Sequence, residues 1–128
     1  RAKTTLADKA LDPAPASRAK ALELLGKLGD AAHLETVARG MLDKDPAVQA
    51  SAAAGLAASG DKRGTPALLE GLKSSDQKVR NASADALKAL WGTSPGDDVS
   101  AWERYWSSQS STVADAISPS GLEPLISE

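Results

Sequence analysis

The apolar and small residues between positions 76 and 90 recur at intervals of three and four. This is the spacing of one face of a helix. Asp76 lies three residues before the first of them, where its carboxylate can accept hydrogen bonds from first-turn amides. Because most of these side chains are small, a neighbouring helix can approach this face closely. The face consists of Val79, Ala82, Ser83, Ala86, Leu87 and Leu90.

The same pattern occurs twice more upstream when the chain is shifted by 31 residues. Leu25, Leu56 and Leu87 then occupy one position of a repeated unit, and Gly29 and Gly60 occupy a later one. Glycine adopts the left-handed conformation that ends many helices, so these two glycines predict the end of a first helix. Each unit is therefore predicted to contain a first helix, a Gly-Asp turn, a second helix and a short polar turn.

The polar turns predict where each new unit starts. Asp45 precedes Pro46, an order typical of a helix cap followed by the first helical position. Asp76 takes the corresponding place before the next unit. These boundaries predict a repeat domain over residues 1–111, with units at 14–43, 45–74 and 76–107.

Both ends of the chain depart from the complete unit. Residues 4–11 match a second helix whose first helix is missing, so a leading half repeat is predicted there. The chain is accordingly expected to be a fragment of a larger protein. After the loop at 92–98, the third unit is predicted to end in a short aromatic terminal helix. Proline and glycine then predict a C-terminal tail, looped or extended, over residues 112–128.

Trp102, Tyr105 and Trp106 fall on one face of that terminal helix. They could form a platform for a sugar, a planar ligand or a peptide. The alternative is a cover for the apolar stripe that the last unit of a repeat array leaves open. The cover is favoured, because large aromatic rings bury extensive surface and these follow the last unit directly.

Two segments carry a family resemblance. Residues 45–56 read Asp-Pro-x-Val-x-x-x-Ala-Ala-x-x-Leu, and residues 76–87 read Asp-x-x-Val-Arg-x-Ala-Ser-x-x-Ala-Leu. These patterns resemble HEAT repeats, and the short unit is most similar to the bacterial, phycobilisome-lyase-like variety. The resemblance implies an all-α fold, a right-handed α-solenoid of HEAT-like helical hairpins.

In families of this type, recurring acidic and basic residues form ladders between units. Arg18 and Arg80 share one position here, which Gln49 occupies in the unit between them, and Asp30 and Asp61 recur at the turn inside each unit. The resemblance implies that these positions link units. Simple capping and solvation is the alternative, since exposed ion pairs contribute little.

The resemblance also implies a role. It implies a non-enzymatic scaffold for protein interactions, and no catalytic residue, cofactor or metal is expected. The protein is expected to be a monomer that binds a protein partner whose identity the sequence leaves open. Second helices usually line the concave side of these folds, so the predicted contact surface is Glu35, Thr36, Arg39, Ala67, Glu70 and Lys73.

The amino-acid composition excludes several kinds of catalytic and metal-binding site. The chain has no cysteine and one histidine, His33, which excludes thiolate chemistry and a multi-histidine metal site. No nucleophile is indicated near His33 in sequence, and it is interpreted as an exposed or turn-packed residue. Apolar runs fall short of the length that a membrane helix needs, so no membrane insertion is expected.

Two alternative functions remain. Related repeats in DNA-repair proteins bind nucleic acid through a basic face, and Lys62, Arg63, Lys78 and Arg80 form small basic patches. The net charge of −2 disfavours a nucleic-acid partner. The likeness to phycobilisome-lyase-type repeats raises a bilin-lyase-like, enzyme-associated module, but the sequence shows no convergent polar pocket for a tetrapyrrole.

Overall fold

The computed structural model describes residues 14–29, 31–96, 98–113 and 116–117. Within these ranges the chain forms α-helices and short 3-10 turns, with no strand. The predicted all-α fold of helical hairpins is therefore confirmed; its right-handed sense stays a prediction. The half repeat at 4–11 and most of the tail at 112–128 lie outside the described residues. The helices are α1 (Pro15–Leu28), α2 (Ala31–Arg39), α3 (Pro46–Ser59), α4 (Thr65–Gly71), α5 (Gln77–Trp91) and α6 (Val99–Gln109).

Local sequence explains where the helices begin and end. The Asp45 carboxylate accepts a hydrogen bond from the Ala47 amide, with Pro46 at the start of α3, as predicted. Asp76 likewise accepts from the first-turn amides of α5, satisfying donors that have no partner within the helix. Gly29 and Gly60 follow α1 and α3 with φ values of 65° and 68°. The predicted left-handed helix ends are thus confirmed.

The first helices of successive units form a continuous stack, with α1 against α3 and α3 against α5. Gly26 and Gly55 allow the closest approach. A Cβ built on Gly26 would lie 2.1 Å from the carbonyl oxygen of Gly55, and one on Gly55 would lie 2.6 Å from the carbonyl oxygen of Leu22. Any side chain at these positions would force α1 and α3 apart, so glycine is required for this packing.

A second glycine pair seats each second helix on the next unit. Gly40 and Gly71 occupy equivalent positions 31 residues apart. A Cβ on Gly40 would lie 2.8 Å from the Cβ of Ala52, and one on Gly71 would lie 2.0 Å from the Oγ of Ser83. The repeat of small residues noticed in the sequence therefore has a tertiary cause, the contact between one unit and the first helix of the following unit.

One position on the first helices holds the loops that join successive units. The buried Arg18 donates from Nε and Nη2 to the Asp43 carboxylate at 2.8 and 3.1 Å. Gln49 donates to the backbone carbonyl of Asp43, and Arg80 donates to that of Ser74 at 2.8 Å. Gln49 thus continues the row without a charge, because the acceptor it needs is a backbone carbonyl.

Ser83 should be a site where alanine improves stability. In the described part of the chain, its fully buried hydroxyl is the one buried side-chain polar atom without a hydrogen-bond partner. The equivalent residues of the other units are Ala21 and Ala52, both buried. Ser83→Ala should therefore raise the free energy of unfolding by about 1 kcal/mol, because no desolvated hydroxyl remains.

Urea unfolding of the Ser83→Ala protein measures this gain. Ser107→Ala, at an exposed position of α6, is the matched control and reports only the intrinsic helix preference of alanine over serine. If Ser83→Ala is no more stabilising than Ser107→Ala, the hydroxyl has a favourable partner in solution.

The last helix, α6, closes the end of the stack. Trp102 is 2% exposed and belongs to the hydrophobic core, whereas Tyr105 and Trp106 are half-buried. Both half-buried rings meet Trp91 of α5 edge-to-face, at centroid distances of 5.4 and 6.2 Å. Edge-to-face contacts are favourable for aromatic rings. The arrangement supports the interpretation of these residues as a cover.

Candidate functional site

An open groove lies at the surface of the array, beside the second helix α4. Its volume is about 700 Å³. Residues from four parts of the chain line it: the 3-10 turn after α2, helix α3, helix α4 with the turn that follows it, and α6. We call it the second-helix groove. Its lining residues are Met41, Leu42, Gln49, Pro66, Leu69, Glu70, Gly71, Lys73, Ser74 and Glu103.

The floor of the groove is largely apolar. Met41 and Leu69 are 7% exposed and belong to the core, while Leu42 and Pro66 are half-buried at the surface. The floor thus continues the hydrophobic core outward. Such a surface gains free energy when a partner covers it, in proportion to the apolar area removed from water.

Three charged side chains, Glu70, Lys73 and Glu103, line the groove. Lys73 Nζ lies 3.3 Å from Glu70 Oε2 and 3.1 Å from Glu103 Oε2. The hydrogen bond that Lys73 donates to Glu103, followed by the one it donates to Glu70, raises the pKa of the Lys73 ammonium above its ordinary value. One lysine therefore joins the turn after α4 to α6. All three side chains are about half exposed, so water screens the interaction.

The structure separates the six residues predicted for the contact surface. Glu70 and Lys73 line the groove. Glu35 is exposed and Thr36 and Arg39 are half-buried, all on α2, and none of the three lines the groove. The placement of Ala67 on an accessible surface is wrong. Ala67 is fully buried, because its face of α4 turns toward the core.

Sequence reasoning missed Glu103 and the apolar floor. Glu103 lies between Trp102 and Arg104 in a helix interpreted only as a cover. Its approach to Glu70 depends on how α6 packs against α4, and the register of the repeat breaks at the loop between α5 and α6. The apolar residues Leu42 and Pro66 fall in helix ends, where a periodic pattern gives no indication of exposure.

A second charged group lies at the turn inside the middle unit. Arg63 donates from Nη2 to Asp61 Oδ2 at 2.7 Å and from its backbone amide to Asp61 Oδ1 at 3.0 Å. The side-chain hydrogen bond from Arg63 is the main cause that lowers the pKa of Asp61. Asp61 thus pairs within its own turn and does not link units, and the Asp30 position lies outside the described residues.

The other residues considered as candidate functional sites do not form a catalytic or metal-binding cluster among the described residues. His33 is half-buried on α2. Within residues 14–29, 31–96, 98–113 and 116–117, no group of three histidine, cysteine, aspartate or glutamate side chains is placed to hold a metal ion. The Trp91 indole donates to Thr65 Oγ1 at 3.1 Å, and Lys62 Nζ lies 4.6 Å from the centre of the Trp91 ring. These contacts fasten α5 to the first residue of α4 and to the turn before it.

In the part of the chain that the structure describes, no helix is both long and apolar enough to span a membrane.

Stacked helical hairpins with a groove along one side define the class of helical-repeat proteins, in which each unit buries its apolar face against its neighbours. The family model for HEAT repeats matches residues 4–88, which is more than half of the chain. The protein belongs to the HEAT-repeat family. No curated protein gives a significant match to the sequence.

Proposed function

We propose that the protein is a non-enzymatic HEAT-repeat scaffold that binds a segment of a protein partner in the second-helix groove. The observation that carries this proposal is that residues from all three predicted units line one groove, with both apolar and charged side chains. HEAT repeats are generally non-catalytic, and repeat arrays commonly use such extended surfaces for binding.

The shape of the groove favours a chain segment over a small ligand. Pockets for small molecules bury most of the ligand surface within a concave site, whereas this groove is open and is lined by residues from all three predicted units. Its combination of apolar and polar lining residues is also typical of protein interfaces, where an apolar centre is bordered by polar groups. The half-buried Leu42 and Pro66 would pack against apolar side chains of the partner.

A peptide-display selection against the purified protein tests this proposal. We expect enrichment of peptides that bind with micromolar dissociation constants, measured by fluorescence anisotropy. Glu70→Trp places a bulky side chain at an exposed position that lines the groove, and it should weaken binding about tenfold or more, since that corresponds to about 1.4 kcal/mol of lost contact.

The matched control is Lys88→Trp, which makes the same substitution at an exposed position of the first helix α5. Its affinity should equal that of the unmodified protein. Circular dichroism and urea unfolding check that both variants are folded. Equal loss in both variants, or no enriched peptide at all, would remove the groove as the binding site.

A further inference from the structure

We infer that the partner segment carries an arginine beside an apolar residue, and that Lys73 occupies the place of this arginine in the free protein. The inference rests on the proposed function, because it concerns what the second-helix groove binds. The structure contributes three observations: an excess of negative charge in the groove, a weakly held internal cation, and an adjacent apolar floor.

The charge of the groove is unbalanced. Two carboxylates, Glu70 and Glu103, share a single ammonium group, that of Lys73. The other polar side chains that line the groove are the uncharged Gln49 and Ser74. One negative charge therefore remains among the described lining residues, and it favours a cationic partner over an anionic one.

The internal cation is easily replaced. The Lys73, Glu70 and Glu103 side chains are 47%, 53% and 47% exposed. Exposed ion pairs contribute little net stability, so displacing the ammonium costs little. Lysine is also a compact point charge, whereas the planar guanidinium of arginine presents several donors that match carboxylate oxygens in pairs.

The two carboxylates come from different elements. Glu70 lies on α4 and Glu103 on α6, close enough for one ammonium to contact both. A guanidinium at the same place could bind both carboxylates and would connect the partner to two helices at once. Binding of the partner segment would then also strengthen the attachment of α6 to the array.

The apolar floor favours an apolar residue next to the arginine in the partner segment. Leu69 and Pro66 belong to α4, as Glu70 does, and all three line the groove. A residue adjacent to the arginine in the partner segment would therefore face apolar surface. Burying an aliphatic side chain there removes apolar area from water, while the arginine stays at the polar side of the groove.

The test uses the tightest-binding peptide from the display selection as the probe. Replacing each arginine of that peptide by citrulline keeps its shape and removes its charge, and this should weaken binding about tenfold, because charge-assisted pairs are stronger than neutral ones. Glu103→Gln should weaken binding about fivefold for the same reason. Lys73→Gln should tighten it about threefold, because the internal competitor for the two carboxylates is gone.

Two controls separate this local effect from the overall charge of the protein. Lys88→Gln and Asp85→Asn remove one charge of each sign at exposed positions of α5, and both should leave the affinity for the peptide unchanged. The opposite responses to Lys73→Gln and Glu103→Gln are the specific expectation. All four substitutions are at exposed positions, and circular dichroism verifies folding.

The outcomes distinguish the inference from the function on which it rests. Suppose that the enriched peptides bind the Glu70→Trp protein more weakly, but bind as tightly when citrulline replaces their arginines. The groove would then remain the binding site, and the inferred arginine contact would be overturned. Weaker binding by Lys73→Gln would overturn it too, because Lys73 would then contact the partner directly. If Glu70→Trp has no effect on any enriched peptide, the proposed function itself fails.

Discussion

Replacing Trp102 by alanine should lower the free energy of unfolding by about 3–5 kcal/mol, the usual cost of removing a large aromatic ring from a core. Trp102 is 2% exposed and is among the largest fully buried side chains. It packs edge-to-face with Tyr105 at a centroid distance of 6.0 Å. Without the ring, α6 would keep only partly buried apolar contacts with the array and the exposed contact of Glu103 with Lys73. Urea unfolding monitored by circular dichroism measures the loss.

Trp106→Ala is the matched control, because it removes the same side chain from the same helix. Trp106 is half-buried, so its loss should be clearly smaller, at about 1–2 kcal/mol for partial burial of such a ring. Equal losses at the two positions would contradict the assignment of Trp102 as the residue that closes the core.

The position of Glu103 beside Trp102 links stability with binding. Trp102 holds α6 against the core, and the next residue supplies one of the two carboxylates that contact Lys73. The covering function and the groove therefore depend on the same helix. The Trp102→Ala protein should consequently bind the selected peptide more weakly under conditions in which the rest of the array is still folded.

Replacing Asp43 by alanine should cost about 3 kcal/mol of unfolding free energy, as expected when one partner of a buried ion pair is removed. The side chains of Arg18 and Asp43 are 3% and 2% exposed. The Asp43 carboxylate also accepts from the Asp45 amide at 2.9 Å. The substitution thus removes the acceptor that fixes both α1 and the loop leading to α3. Urea unfolding provides the measurement.

A neighbouring carboxylate provides the control. Asp45→Ala removes a helix cap that accepts from the Ala47 amide in an exposed hydrogen bond, and such losses are about 1 kcal/mol. A double-mutant cycle with Arg18→Met isolates the coupling between Arg18 and Asp43. If Asp43→Ala costs no more than Asp45→Ala, the ion pair does not hold α1 to the loop that leads to α3.

The row formed by Arg18, Gln49 and Arg80 shows how one repeat position can serve a single purpose with different chemistry. Each side chain reaches a loop between units, but only Arg18 of the three is bound to a carboxylate in the contacts described above. The sequence marks the position through the two arginines. It does not distinguish a charge ladder from hydrogen bonds to backbone carbonyls, since that choice depends on where the loop lies.

The sequence by itself determined the helices, their caps and the repeat, because these features depend on neighbours within a few residues. The spacing of apolar residues, Asp45 and Asp76 before helices, and glycine after them are local instructions. The family resemblance followed from the same local pattern, since units of similar sequence bury similar faces.

Only the tertiary structure decided the groove. The approach of Glu103 to Glu70 through Lys73 depends on how α6 packs against α4 across a loop that breaks the repeat register. The burial of Ala67 likewise depends on which face of α4 meets the core. Relative positions of helices arise from the packing of whole faces and from close contacts such as Gly26 with Gly55. No local pattern specifies them.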